Sequence, residues 1–299
     1  MGEVLVVGSV AFDTIETRAG RREEILGGSA SFASLAGALQ APFRIVAVVG
    51  EDFPQEHIDL LRGRGIDTAG IERKPGRTFR WSGRYAHDFS TRESLDTQLN
   101  VFEQFDPKLP EAFRRSDVLL LGNIVPELQL RVLDQMIERP RLVAADTMNF
   151  WITGRRDALL RVLERIDLLL INDEEAFQLS GEKSLVRAAR AVQALGPRKL
   201  VIKRGEHGAF LFDELELFYC PGFPLDDVID PTGAGDSFAG ALLGWIAHHG
   251  PDASLRRALV RATAVASFGV QGFGVEGLRD LREENVVERM EALRRLVAI

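Results

Sequence analysis

The chain is short of cysteine, of positive charge and of long apolar runs, and each shortage excludes something. One cysteine, Cys220, among 299 residues leaves no intramolecular disulfide and no cysteine metal cluster. A reducing, cytoplasmic location is the simplest expectation. Cys220 lies in Tyr219-Cys220-Pro221-Gly222 with no neighbouring base, so it does not read as a nucleophile. No stretch approaches the roughly 18 apolar residues that a membrane helix needs. The first residues, MGEVLVVGSVAFD, lack a positive n-region and break at Gly8, so they do not read as a signal peptide. Lys and Arg number 37 against 44 Asp and Glu, a net charge of −7, and no nucleic-acid partner is expected. There is no G-x-x-x-x-G-K-[ST], which excludes a P-loop kinase. There is no His-Glu-x-x-His, and His248 and His249 point to different faces of a helix, which makes a zinc site there improbable.

What is present is ordinary globular material, 45% hydrophobic and 27% charged. Short, non-alternating apolar runs recur at Val4–Val7, Ile45–Val49, Val118–Leu121, Leu142–Ala145, Leu168–Ile171, Leu200–Lys203 and Ala209–Phe212. Strands buried on both faces of a parallel sheet read this way. Helical patterns fall between them, at Ser29–Leu39, Phe53–Gly63, Pro126–Glu138, Asp157–Arg165, Glu174–Leu179 and Ser184–Leu195. The alternation predicts an α/β fold with a doubly wound, mostly parallel sheet flanked by helices. One continuous domain over 1–299 is expected, carrying an insertion.

The insertion breaks the rhythm. Residues 76–100, GRTFRWSGRYAHDFSTRESLDTQLN, alternate aromatic and polar side chains: Phe79, Trp81 and Tyr85 against Arg80, Ser82 and Arg84. That period predicts a half-exposed strand. With 14–20 it is read as a small β-flap, either a lid over a site or, since exposed aromatics need covering, a homodimer surface.

The strongest local signal is Asp230-Pro231-Thr232-Gly233-Ala234-Gly235-Asp236-Ser237-Phe238-Ala239-Gly240, which runs into a helix with an apolar face. Small residues at 233–235 let free N–H groups converge at the helix start, where the helix dipole attracts anions. The string resembles the C-terminal signature of the PfkB, or ribokinase-like, carbohydrate kinases. The resemblance implies an anion hole for the transferred phosphoryl group at Gly233, Ala234 and Gly235, with Asp236 as the base for the acceptor hydroxyl. Leu26-Gly27-Gly28-Ser29-Ala30-Ser31 resembles the family's di-glycine signature, with Ser29 and Ser31 where Asn is usual. It implies acceptor contacts at Gly27, Gly28 and Ser31, and Asp13 matches the family's hydroxyl-binding Asp. Asn172-Asp173-Glu174-Glu175 resembles its Asn-x-x-Glu motif, implying Mg²⁺ held largely through water by Asn172 and Glu175. Alone, the same four residues also read as a capped helix start. Lys203-Arg204-Gly205-Glu206-His207-Gly208 resembles its nucleotide-binding hairpin, placing Lys203, Gly205 and Gly208 near ATP. Asp230 and Thr232 lie where some members build a monovalent-cation loop, so K⁺ joins ATP and Mg²⁺ among the expected cofactors. The resemblance runs from Gly8 to about Gly274.

Gly272-Phe273-Gly274-Val275-Glu276-Gly277 fits G-x-G-x-x-G but follows no strand and leaves too little chain for a dinucleotide unit. The expected function is ATP-dependent phosphorylation of a hydroxyl on a small sugar or polyol. A nucleoside kinase is the alternative, with Phe12, Phe32, Trp81 and Tyr85 available to stack on a base; a non-catalytic nucleotide- or sugar-binding protein is a further one.

Overall fold

A computed structural model describes residues 2–213 and 216–298. Its strands are β1 (Val4–Val7), β2 (Ala11–Thr17), β3 (Gly20–Gly27), β4 (Phe43–Gly50), β5 (Ile66–Lys74), β6 (Arg80–Tyr85), β7 (Arg92–Gln98), β8 (Val118–Leu121), β9 (Leu142–Asp146), β10 (Leu168–Asn172), β11 (Lys199–Lys203), β12 (Ala209–Phe212) and β13 (Leu217–Cys220). Its α-helices are α1 (Ser29–Gly37), α2 (Gln55–Gly63), α3 (Pro126–Gln135), α4 (Asn149–Gly154), α5 (Arg156–Leu163), α6 (Asp173–Ser180), α7 (Leu185–Gln193), α8 (Ala234–His249), α9 (Leu255–Gly269), α10 (Glu276–Arg279) and α11 (Glu283–Val297).

Nine strands form one sheet in the order β13-β12-β11-β10-β9-β8-β1-β4-β5. All neighbours are parallel except the β11–β12 and β12–β13 pairs. The apolar runs explain the layering. Along β1, Val4 and Val6 enter one core with α1, α8 and α9, while Leu5 and Val7 enter the other with α3, α5 and α7. The same division repeats along β8, β9 and β10. Strands covered on both faces cannot carry polar residues on either, hence the unbroken Val/Leu/Ile runs. Fully buried Arg261 of α9 holds α11 in place through Glu283, at 2.7 and 2.6 Å. No helix among the described residues is long and apolar enough to cross a membrane.

Four further strands, β3-β2-β6-β7, make a second sheet. It is larger than 14–20 and 76–100, because β2 begins at Ala11 and β3 runs to Gly27. β2 and β6 pair in parallel, Asp13 opposite Trp81 and Glu16 opposite Arg84. The pleat therefore sorts the alternation. Trp81 lies over Gly83 on the face that carries Asp13, and Tyr85 of that face reaches Thr232. Arg84 pairs with Glu16 and Arg80 with Glu24 on the opposite face. Trp81 and Tyr85 thus lie on the face that carries Asp13, while Phe79 stacks on Phe102 at 5.2 Å.

Candidate active site

Parallel strands bring all their carboxyl ends to one edge of the sheet, where doubly wound folds bind ligands. Here that edge collects the loop after β1, Asp146 ending β9, Asn172 ending β10 and Lys203 ending β11. The start of α8 approaches the same edge. Gly233 caps it with φ 71°, and a Cβ at that position would stand 2.3 Å from the Phe32 ring. Glycine is required there twice, for the left-handed backbone and for the packing. The Ala234 N–H turns back to the Pro231 carbonyl at 3.2 Å. The Gly235 and Asp236 N–H groups have no acceptor among the described residues, so the helix start is left with free donors at its positive end.

Lys203 and Asp236 meet at this turn. A Cβ on Gly235 would lie 3.0 Å from Lys203 Nζ, so the glycine makes room for the ammonium group. Lys203 donates to Asp146 Oδ2 at 3.1 Å, and both side chains are largely buried. Its charge is shared among Asp146, Glu175 and Asp236, which together hold it firmly protonated against the cost of burial. Asp146 is a functional candidate that the sequence reading lacks. Its signal was a carboxylate ending an apolar run, Leu142-Val143-Ala144-Ala145-Asp146.

The acidic groups are crowded. Burial first, then the nearby Asp230 and Asp236, push Asp13 up to about 7. Burial and Asp146 push both Glu175 and Asp236 up to about 7, against the pull of Lys203. An acid raised this way binds a proton in the folded chain across the window from its ordinary value near 4 to about 7, where the unfolded chain has lost it. Stability therefore falls as pH rises through that window and levels off above it. Glu16 and Glu216 are instead held below the usual glutamate value by Arg84 and Arg256. The ligand-free protein is expected to melt several degrees lower at pH 8 than at pH 5.5, with Asp13→Asn narrowing the gap. Each kcal/mol corresponds to roughly 2–4 °C for a domain of this kind. Equal melting temperatures at the two pH values, read by scanning calorimetry, would contradict this account of the cleft.

The two glycines of the di-glycine segment serve the chain's own atoms. A Cβ at Gly27 would sit 2.0 Å from Asp13 Oδ2, so the missing side chain is filled by that carboxylate. Gly28, at φ 91°, passes within 2.5 Å of the Ser9 carbonyl by the same measure. Ser31 is fully enclosed in α1 and its Oγ has no partner, so it presents nothing to an acceptor. Of the aromatics, Phe12 and Phe32 are core residues, while Trp81 and Tyr85 remain half-buried at the cleft.

Asn172 and Glu175 form a reciprocal cap on α6: Glu175 N–H donates to Asn172 Oδ1 at 2.7 Å and Asn172 N–H to Glu175 Oε2 at 2.8 Å. The capped-start reading of this motif is therefore present alongside any metal role. Both Asp230 oxygens are occupied, by Thr232 N–H and by Gly274 N–H, each at 2.8 Å. Thr232 Oγ1 lies 2.9 Å from the Tyr85 hydroxyl. The glycine-rich 272–277 segment is thus a buttress for the Asp230 loop. In the hairpin, Gly205 is exposed and open, whereas Gly208 is buried, 2.1 Å from the Cys220 carbonyl as a Cβ would see it. Gly208 is a packing residue.

A family model described as pfkB family carbohydrate kinase matches residues 1–280. A cytidine kinase of Thermococcus kodakarensis is 30% identical over 273 residues, covering 89% of this chain and 96% of its own. An inositol 3-kinase of Oryza sativa subsp. japonica is 28% identical over 96% of this chain and 75% of its own. The crystal structure of a putative ribokinase II from E. coli in complex with ATP and Mg²⁺ superposes with a TM-score of 0.80 at 22% identity, covering 99% of this chain and all of that one. The nine-stranded sheet with the second sheet is the fold of that structure, and the chain belongs to the pfkB family of carbohydrate kinases, as a kinase of a sugar or nucleoside.

Proposed function

We propose that the acceptor is a small uncharged sugar or polyol, bound between Asp13 and the flap and phosphorylated by ATP with Asp236 as the base. The observation that carries this is the α8 turn, where free N–H groups, the Lys203 ammonium and the Asp236 carboxylate converge within one helical turn. The acceptor oxygen forms a bond to the γ-phosphorus as the bond from that phosphorus to the β,γ-bridging oxygen breaks. ADP leaves with the electron pair, and the hydroxyl proton passes to an Asp236 oxygen. A carboxyl poised at about 7 suits proton uptake at neutral pH. Asp13, an acceptor of hydroxyl protons, fits a polyol and repels an anionic acceptor. The flap closes the cleft against water, which limits ATP hydrolysis.

Bound Mg²⁺ would neutralise the phosphate oxygens. Among the described residues no three His, Cys, Asp or Glu side chains stand close enough to hold a metal by themselves. The fit is to a hydrated ion that keeps water and phosphate ligands, with Asn172 and Glu175 at its outer side. Glu175→Gln is expected to raise the Mg²⁺ concentration for half-maximal rate severalfold with little change in the rate at saturation. A titration curve that superposes on the parent's removes Glu175 from this role.

A nucleoside acceptor is the second reading, favoured by the full-length similarity to a cytidine kinase and by Trp81 and Tyr85 on the cleft face. ADP release measured with ribose, myo-inositol and cytidine as acceptors separates the two. Turnover with ribose or inositol and none with cytidine supports the first; the converse pattern overturns it.

A further inference from the structure

The site as described leaves one cation of the cleft without a task. Arg92, on β7, pairs across the flap with Tyr85. Its guanidinium lies 5.4 Å from the centre of the Trp81 ring. Trp81 is itself fixed: its Nε1 donates to Ser94 Oγ at 3.2 Å, and it covers Gly83, where a Cβ would stand 2.1 Å from the ring. Tyr85 reaches Thr232 at 2.9 Å, the residue directly before Gly233. The strand end bearing Arg92 is therefore hung over the start of α8. Arg80 and Arg84 of the flap each pair with a carboxylate, whereas Arg92 makes no such ion pair among the described residues. Lys203, the other cation facing Asp236, is held by Asp146.

We propose that Arg92 is a catalytic residue, delivered by the flap, whose guanidinium binds the γ-phosphoryl oxygens during transfer. The proposal rests on the kinase reading of the cleft. Its logic is charge balance. Asp13, Asp146, Glu175, Asp230 and Asp236 already crowd this edge, and a nucleotide adds several more negative charges. Arg92 sits opposite Tyr85, whose hydroxyl meets Thr232 beside the α8 turn, and its positive charge favours the ionised forms of Asp13, Glu175 and Asp236. A planar guanidinium offers a fork of donors that matches two phosphoryl oxygens, and the Trp81 face pre-orients it. An arginine meant for an anionic group on the acceptor would be the rival assignment.

Arg92→Met and Arg92→Lys test it on the intact enzyme with whichever acceptor turns over. Arg92 is exposed, so both variants are expected to fold. The expected result is a fall in kcat of about 10²–10³-fold in Arg92→Met, the cost of one donor to a developing anion. ATP affinity should stay within about threefold, and binding of the transition-state mimic ADP with aluminium fluoride should weaken in step with kcat. Arg92→Lys should recover only a small part, and added guanidinium ion should partly rescue Arg92→Met. A loss confined to acceptor KM, with kcat and mimic binding intact, assigns Arg92 to the acceptor and overturns the proposal. So does a variant indistinguishable from the parent. If the parent enzyme itself neither transfers phosphate from ATP to any of the acceptors nor binds the mimic, the kinase reading fails and Arg92 with it; the preceding outcomes overturn Arg92 alone.

Discussion

Asp236→Asn is expected to fold normally, bind ATP and acceptor, and lose about 10²–10⁴-fold in kcat, or roughly 3–5 kcal/mol of barrier. Asn is nearly isosteric and accepts a hydrogen bond from the acceptor hydroxyl, but it does not readily take the proton. The free protein should be slightly more stable than the parent above pH 7, because a carboxylate crowded by Asp146 and buried has been removed. ATP should bind no more weakly, since one negative charge beside the phosphates is gone. Were Asp236 only a partner for the α8 dipole, the substitution would instead cost a few tenths to about 1 kcal/mol of stability and spare turnover. A melting temperature that drops while kcat stays within about threefold of the parent would sink the base assignment, since threefold is only about 0.65 kcal/mol.

Lys203→Met should have the largest effect on the fold itself. Lys203 and Asp146 form a largely buried pair with 17% and 11% side-chain exposure, and Lys203 also faces Glu175 and Asp236. Removing one partner strands the buried carboxylate, at about 3–5 kcal/mol. The loss should be greatest near pH 8, where Glu175 and Asp236 are ionised, and smaller near pH 5.5, where both bind protons. Urea melts at the two pH values measure it. A pH-independent loss of under about 1 kcal/mol would show that the ammonium group is not the charge that holds these acids together. Asp146→Asn with Lys203→Met should be less unstable than the sum of the singles, because the pair is removed together.

The sheet was legible where both faces are covered. β1, β8, β9 and β10 are unbroken apolar runs because they lie mid-sheet between two cores. β5, Ile-Asp-Thr-Ala-Gly-Ile-Glu-Arg-Lys, was not legible: as an edge strand it meets solvent along much of its length and carries charge there. β3 was hidden for the same reason, since Gly20 to Glu24 are exposed, Arg21 to Glu24 charged, until Leu26 enters the core. Among site residues, the α8 turn could be read because free N–H groups demand small residues in sequence. Asp146 could not, because a lone carboxylate ending a strand carries no spacing. The di-glycine segment owes its glycines to the chain's own packing: its missing side chains admit Asp13 and Ser9, which the one-dimensional string does not bring together. Arg92 was lost in a polar stretch whose two faces only strand pairing separates.

Besides the Arg80–Asp52 ion pair at 2.8 Å, two flap hydrogen bonds reach the main domain, Thr17 Oγ1 to the Ile229 carbonyl at 2.8 Å and Tyr85 to Thr232 at 2.9 Å. Both hydrogen bonds end on one short segment, 229–232, which feeds directly into Gly233. That segment is anchored from behind by Asp230 on the Gly274 N–H. The small sheet and the phosphoryl cradle are therefore geared to each other: the flap cannot swing away without releasing the run of chain that sets the direction of the Gly235 and Asp236 N–H groups. On the proposed reading, opening the flap is expected to let go the α8 turn as well, so that attack by water on a lone nucleotide is disfavoured by the same contacts that hold the flap down.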